Sequence, residues 1–139
     1  MKTKILLAAA TITATLAGVP AIAAPPAPPG EVRVRELYGG VVVSWLKSPD
    51  DPLNVSGYEV VRSVFTNGPY QPVCVTLKGA VSCCDRKIKP DQTYYYRVRA
   101  LGIGGDAASE MTRHASIEVP APAPPPVYEP NPPRPALSQ

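Results

Sequence analysis

The chain has 139 residues, 14 Lys and Arg against 11 Asp and Glu, 19 prolines and a single histidine. That length allows one domain, and the small basic excess excludes capture of a polyanion by the overall field. One histidine excludes any chemistry that needs several imidazoles, while 45% apolar residues are enough to fill one core.

Met1 to Lys4 is basic, Ile5 to Val19 is apolar and rich in small residues, and Pro20-Ala21-Ile22-Ala23 closes on an A-x-A cleavage pattern. Residues 1–23 are therefore expected to be a secretory signal peptide, cut after Ala23. The apolar run of 15 residues is shorter than the roughly 20 that cross a bilayer. No membrane span is expected after signal removal, and the product is expected to be secreted or periplasmic. Lys2 and Lys4 leave with the signal, so 12 basic residues face 11 acidic ones and the net charge falls to about +1.

Residues 24–29 read as a short Pro/Ala linker, with four prolines. From residue 30 to 119 the pattern is that of strands. Glu31–Leu37 alternates, with Val32 and Val34 opposite Arg33 and Arg35, and Gly39-Gly40 reads as a turn. Val41, Val43 and Trp45 line one face of the next strand. A loop through Pro49-Asp50-Asp51-Pro52 leads to a third strand over Tyr58–Val61. Asn67-Gly68-Pro69 turns the chain, two short strands flank Lys78-Gly79, and Lys89-Pro90-Asp91 makes a corner. Over Thr93–Leu101, Tyr94, Tyr96, Val98 and Ala100 share one face, and Tyr95, Arg97, Arg99 and Leu101 the other. After Gly102–Gly105, Met111–Val119 supplies a last strand. Period-two alternation broken by turns at this spacing predicts an all-β, seven-stranded immunoglobulin-like β-sandwich. Residues 120–139 hold nine prolines, which lack the N–H that helix and central strand require, so the tail is expected to be disordered and extended.

Cys74, Cys83 and Cys84 stand in a chain expected to meet an oxidising compartment. If Lys78-Gly79 is a two-residue hairpin turn, Cys74 faces Cys83 across the strands, and that bridge is preferred. Cys74–Cys84 needs a bulge or a shifted register, and a vicinal Cys83–Cys84 bridge is strained. Each pairing leaves one thiol, either buried and inert or free for self-association. Three cysteines with His114 lack the paired spacing of a zinc site.

The sequence resembles the fibronectin type III family over about residues 28–119. The resemblance is carried by Pro29, by Val41-Val42-Val43-Ser44-Trp45, by Val55-Ser56-Gly57-Tyr58-Glu59-Val60, and above all by the run from Asp85 through Ile88, Pro90 and Tyr94 to Ala100. Gly105 followed by Ser109 fits the approach to the last strand. The resemblance implies that Trp45 is the core tryptophan of the second strand. It also implies that Tyr94 is a corner tyrosine whose hydroxyl reaches backbone near Ile88–Pro90. Trp45, Tyr58, Tyr94 and Tyr96 are thus expected to be structural core rather than binding site. The cysteines depart from the family pattern, and no Arg-Gly-Asp triplet occurs.

Chemistry is not expected. His114 has no serine or acidic partner placed by a motif. Asp50-Asp51 reads as a solvated loop, and no acidic loop is dense enough for calcium. Asn54-Val55-Ser56 has the form of a glycosylation acceptor, but the signal looks bacterial and modification is not expected. No cofactor, metal or nucleic acid is expected. Arg97 and Arg99, on the outward face, and Tyr128 and Arg134, between the tail prolines, are the candidate contact residues. The tail reads as a spacer or as a polyproline ligand. The expected role is a non-catalytic extracytoplasmic module contacting an envelope or extracellular protein, or a glycan. The alternatives are a structural subunit joined through the odd cysteine or the tail, and an accessory polysaccharide-binding protein.

Overall fold

A computed structural model describes residues 24–104 and 107–128. The signal reading of residues 1–23, Gly105, and the tail beyond Tyr128 with Arg134 lie outside the described residues. Seven strands run in order: β1 (Gly30–Leu37), β2 (Gly40–Leu46), β3 (Val55–Ser63), β4 (Gln71–Leu77), β5 (Ser82–Asp85), β6 (Gln92–Gly102) and β7 (Ala115–Val119). They form two antiparallel sheets, one of order β1-β2-β5 and the other of order β4-β3-β6-β7. The seven-stranded sandwich read from the alternation is therefore present.

The core follows from that alternation. Side chains two apart along a strand share a face, so Val41, Val43 and Trp45 of β2 point across the gap at Tyr58 and Val60 of β3 and at Tyr94, Tyr96, Val98 and Ala100 of β6. Tyr58, Val60, Tyr96 and Val98 are fully buried, and Trp45 is 4% exposed. The Trp45 and Tyr58 rings meet at 5.5 Å in a tilted arrangement, the geometry that the ring quadrupole favours over a flat sandwich. The Tyr94 hydroxyl accepts a hydrogen bond from the Lys89 backbone N–H at 2.8 Å, and so ties the start of β6 to the loop before it.

Three local features differ from the sequence reading. The β1–β2 turn is Tyr38-Gly39, both with positive φ (50° and 72°), while Gly40 already pairs with Leu37. Two left-handed residues match the twist of a tight hairpin. The third strand is longer than Tyr58–Val61. Its Gly57 is required by contact, because a Cβ there would lie 2.0 Å from the Thr76 carbonyl oxygen. The last strand is shorter than Met111–Val119. Thr112 Oγ1 accepts the Val98 N–H at 3.0 Å and Ser109 Oγ the Ala100 N–H at 2.9 Å. Side-chain oxygens thus take donors that a longer β7 would have paired.

Residues 24–29, read as a linker, are fastened to the sandwich. Ala27 N–H donates to Asp50 Oδ2 at 2.7 Å, Ser48 Oγ to the Ala27 carbonyl at 2.7 Å, and Asn54 Nδ2 to the Ala24 carbonyl at 3.1 Å. Pro26 and Pro29 are buried. Asp50 and Asp51 are accordingly not idle loop carboxylates. Asp51 accepts from the Tyr58 hydroxyl at 2.7 Å and from the Gly79 N–H at 2.9 Å, joining the loop before β3 to the loop after β4.

Burial, reinforced by the Asp51 hydrogen bond and charge, pushes the Tyr58 phenol up to about 12. Burial and the Asp85 charge raise Tyr96 as well. A phenol whose folded pKa is raised gives stability that is complete below its unfolded value of about 10 and is lost as pH climbs from there through the folded value. The urea midpoint is therefore expected to hold up to about pH 10 and to fall between 10 and 12. Tyr58→Phe should make that fall shallower. A slope unchanged by the substitution would remove Tyr58 from the account.

Candidate functional site

The sequence reading put Cys74 and Cys83 opposite each other in a hairpin. The structure joins the same two sulfurs by another route. β4 pairs with β3 through Val60↔Cys74, and β5 pairs with β2 through Val43↔Cys83. The two strands lie in different sheets. Lys78-Gly79 carries the chain across the sandwich rather than back along one sheet. Both cysteines face inward, and the bridge spans the gap with Cα atoms 6.9 Å apart. It fastens the β4 edge of one sheet to the β5 edge of the other.

Cys84 is free and exposed. It lies opposite Val42, which lies opposite Arg35, so it belongs to the outer face of the three-stranded sheet. In the native chain one equivalent of iodoacetamide should label Cys84 alone. Replacing Cys74 and Cys83 together by Ala should cost about 2–3 kcal/mol, the usual contribution of a bridge closing a short loop. Chemical denaturation of the double variant measures that cost.

Above the bridge sits a polar clamp. Arg62 Nη1 donates to Asp85 Oδ2 at 2.6 Å and to the Lys87 carbonyl at 2.8 Å. The Tyr96 hydroxyl donates to the same carboxylate oxygen at 3.0 Å, and the Lys87 N–H reaches Oδ1 at 2.9 Å. Asp85 is 3% exposed, so this carboxylate from β5 is wholly supplied by donors from β3, β6 and its own loop. The Arg62 guanidinium also lies 5.0 Å from the centre of the Tyr94 ring. Sequence reasoning missed this group, although parity held the signal. Arg62 is two residues after the inward Val60, and Asp85 two after the inward Cys83.

The outer face of the four-stranded sheet carries the candidate contact residues. Arg99 donates to Glu59 Oε2 at 2.6 Å across the β3–β6 ladder. The Arg97 guanidinium covers the Tyr70 ring at 4.6 Å. His114 meets the Tyr95 ring edge-on at 5.3 Å and lines a surface hollow with Glu31 and Thr112. Arg97 and Arg99 are thus neighbours on one face, occupied by local partners. Tyr128 is 90% exposed and does not join them.

At the edge of this face, β4 differs from the other three sheet edges. β1 carries Glu31, Arg33, Arg35 and Glu36; β7 has five residues including Glu118; β5 has four, ending in Asp85. β4 is seven residues long, Gln-Pro-Val-Cys-Val-Thr-Leu, with no charge. Val75 is 65% exposed and Leu77 81%. The Lys78 N–H donates to the Ser56 carbonyl at 3.0 Å. Hydrogen-bonded pairs alternate along an antiparallel ladder, so Thr76 also bonds to β3. Val75 and Leu77, opposite Glu59 and Gly57, turn their backbone N–H and C=O groups to the free edge.

No family model matches the chain, and no curated protein matches it. Solved structures do. A Fn3-like protein from Clostridium thermocellum superposes with a TM-score of 0.58 at 22% identity, covering 68% of this chain and 94% of that one. The sixth fibronectin type III domain of human fibronectin type III domain containing protein 3 gives 0.53 at 21% identity, covering 74% and 91%. A solved myokine gives 0.55 at 23% identity, covering 68% and 98%. The chain has a fibronectin type III-like fold. In this fibronectin type III-like sandwich, Trp45 and Tyr94 occupy the interior, and what distinguishes the surface is the uncharged, disulfide-fastened β4 edge.

Proposed function

We propose that this chain is a non-catalytic extracytoplasmic interaction module that contacts a protein partner by adding a strand to the β4 edge. The observation that carries the reading is an unguarded edge. Soluble proteins protect sheet edges with charge, bulges, short strands or cover, and β4 has only Pro72 and the register shift at Val73, both near its start. Strand addition uses the main-chain groups for affinity and alternate side chains for specificity, and β4 presents both, through the backbone of Val75 and Leu77 and through their exposed side chains. The disulfide supports the reading by holding the edge rigid, which lowers the ordering cost of binding.

The fold is one generally used for contacts rather than catalysis, and fold by itself does not assign an activity. Among the described residues no cluster of His, Cys, Asp and Glu is arranged to hold a metal. The buried carboxylate, Asp85, is consumed by its clamp. A protein partner is favoured over a glycan because the distinguishing surface feature is an open strand edge, which main-chain groups of another polypeptide recognise. Export is supported by the signal pattern and by a disulfide, which persists in oxidising compartments. The exposed Cys84 favours a second reading, a structural subunit that joins copies through this thiol.

An envelope-extract pull-down with the chain from Ala24 to Gln139 tests the first reading. Partners retained by Val75→Thr and lost with Val75→Pro support strand addition, since proline removes only an outward N–H. Partners unaffected by Val75→Pro overturn it. Repeating the experiment without residues 120–139 decides the tail: unchanged partners leave it a spacer.

A further inference from the structure

We infer that the strand β4 accepts is β4 of a second copy of this chain, giving a two-fold dimer with one continuous eight-stranded sheet. The inference rests on the strand-addition reading and names its partner.

The edge is complementary to itself. Val75 and Leu77 each point one N–H and one C=O outward, two positions apart. When two antiparallel copies are related by a two-fold axis beside Thr76, Val75 of each copy lies opposite Leu77 of the other. Both pairs are then the hydrogen-bonded kind, and Thr76 faces its symmetry mate in the non-bonded position, as an antiparallel ladder demands. The apolar side chains fit the same axis. Val75 and Leu77 lie on the outer face, 65% and 81% exposed in the single chain, and the axis brings four of them into one cluster. An isologous contact of this kind closes after two copies and leaves no sticky end.

Charge selects this partner. A strand without a charged residue meets an identical strand with no like-charge contact. Pairing β4 with β1 or β7 of another copy would set Val75 and Leu77 beside Glu, Arg or Glu118 side chains. The chain's own tail does not compete, because nine prolines in residues 120–139 remove the donors a ladder needs. Gly57, beside Leu77 on the outer face, adds no bulk against the copy, and Glu59 beside Val75 is already neutralised by Arg99 at 2.6 Å.

Sedimentation velocity on the Ala24–Gln139 chain tests this. It is run in a Cys84→Ser background so that a linkage through that thiol is not mistaken for strand pairing. A reversible monomer–dimer equilibrium is expected. Val75→Pro should weaken it at least tenfold, while Val75→Thr, which keeps the backbone donor, should leave a measurable dimer. Unchanged Trp45 emission shows that Val75→Pro remains folded. In the same background Thr76→Cys should cross-link across the axis under mild oxidation, which locates the two-fold directly. A chain that stays monomeric at millimolar concentration overturns the inference. So does a dimer that Val75→Pro leaves intact. If the chain is monomeric yet loses a foreign partner on Val75→Pro, the strand-addition reading stands and only the second copy is wrong. If neither depends on Val75, both fall.

Discussion

Asp85→Ala should destabilise the domain by about 3–5 kcal/mol, the range for removing one member of a buried ion pair. The loss strands three donors at once, among them the Lys87 backbone N–H. The Arg62 guanidinium keeps its carbonyl contact at Lys87 but loses its counter-charge, and the Tyr96 hydroxyl, fully buried, loses its acceptor. Against a total stability of about 5–15 kcal/mol, a loss of that size leaves a substantial unfolded fraction on mild heating. The lower end applies if water reaches Arg62, whose side chain is 24% exposed. Replacing the whole group by Asp85→Leu, Arg62→Met and Tyr96→Phe should recover most of the loss, since an apolar substitute for a complete buried pair is often neutral. Urea denaturation of the single and triple variants measures both. A cost under about 1 kcal/mol for Asp85→Ala, the scale of an exposed pair, would mean that the clamp does not hold the sheets together.

Trp45→Ala should cost a similar amount, about 3–5 kcal/mol, through a cavity where β2 meets Tyr58. Trp45→Phe should cost much less. It keeps the ring contact, and it removes an indole N–H that is buried without a hydrogen-bond partner, so the usual penalty of losing a donor does not apply. The order Ala ≫ Phe in denaturation midpoints identifies packing as the source. A Phe variant as damaged as the Ala variant would show that the N–H has a partner. Trp45 is the chain's one tryptophan, so its emission reports the same transition, blue-shifted when folded and red-shifted when the interior opens.

Alternation was enough to place the interior. Val41, Val43 and Trp45, and Tyr94, Tyr96, Val98 and Ala100, were assigned to inward faces because a strand turns successive side chains to opposite sides, a local rule. Turns marked by Gly and Pro bounded the strands for the same reason. The misplacements lie where distant side chains compete for backbone groups. β7 begins at Ala115 because Thr112 and Ser109 oxygens take the β6 donors. The Ala24–Pro29 segment is anchored because Ser48, Asp50 and Asn54 meet it from another loop.

The cysteines show the limit of local reasoning most clearly. A hairpin and a sheet-to-sheet crossover around Lys78-Gly79 place Cys74 and Cys83 on the same inward side, so parity selects the same bridge in both cases. It cannot tell which strands become neighbours. The amino-acid order alone determined the number of strands and the apolar residues of their inward faces, and favoured the pair of sulfurs that meet, because each depends on which way a side chain points from its own backbone. Only the tertiary structure decided that β4 and β5 belong to opposite sheets, that Arg62, Asp85 and Tyr96 converge, and that one uncharged edge stays open. Those depend on which strand lies beside which, a choice made by the packing of the whole core and not by any stretch of it.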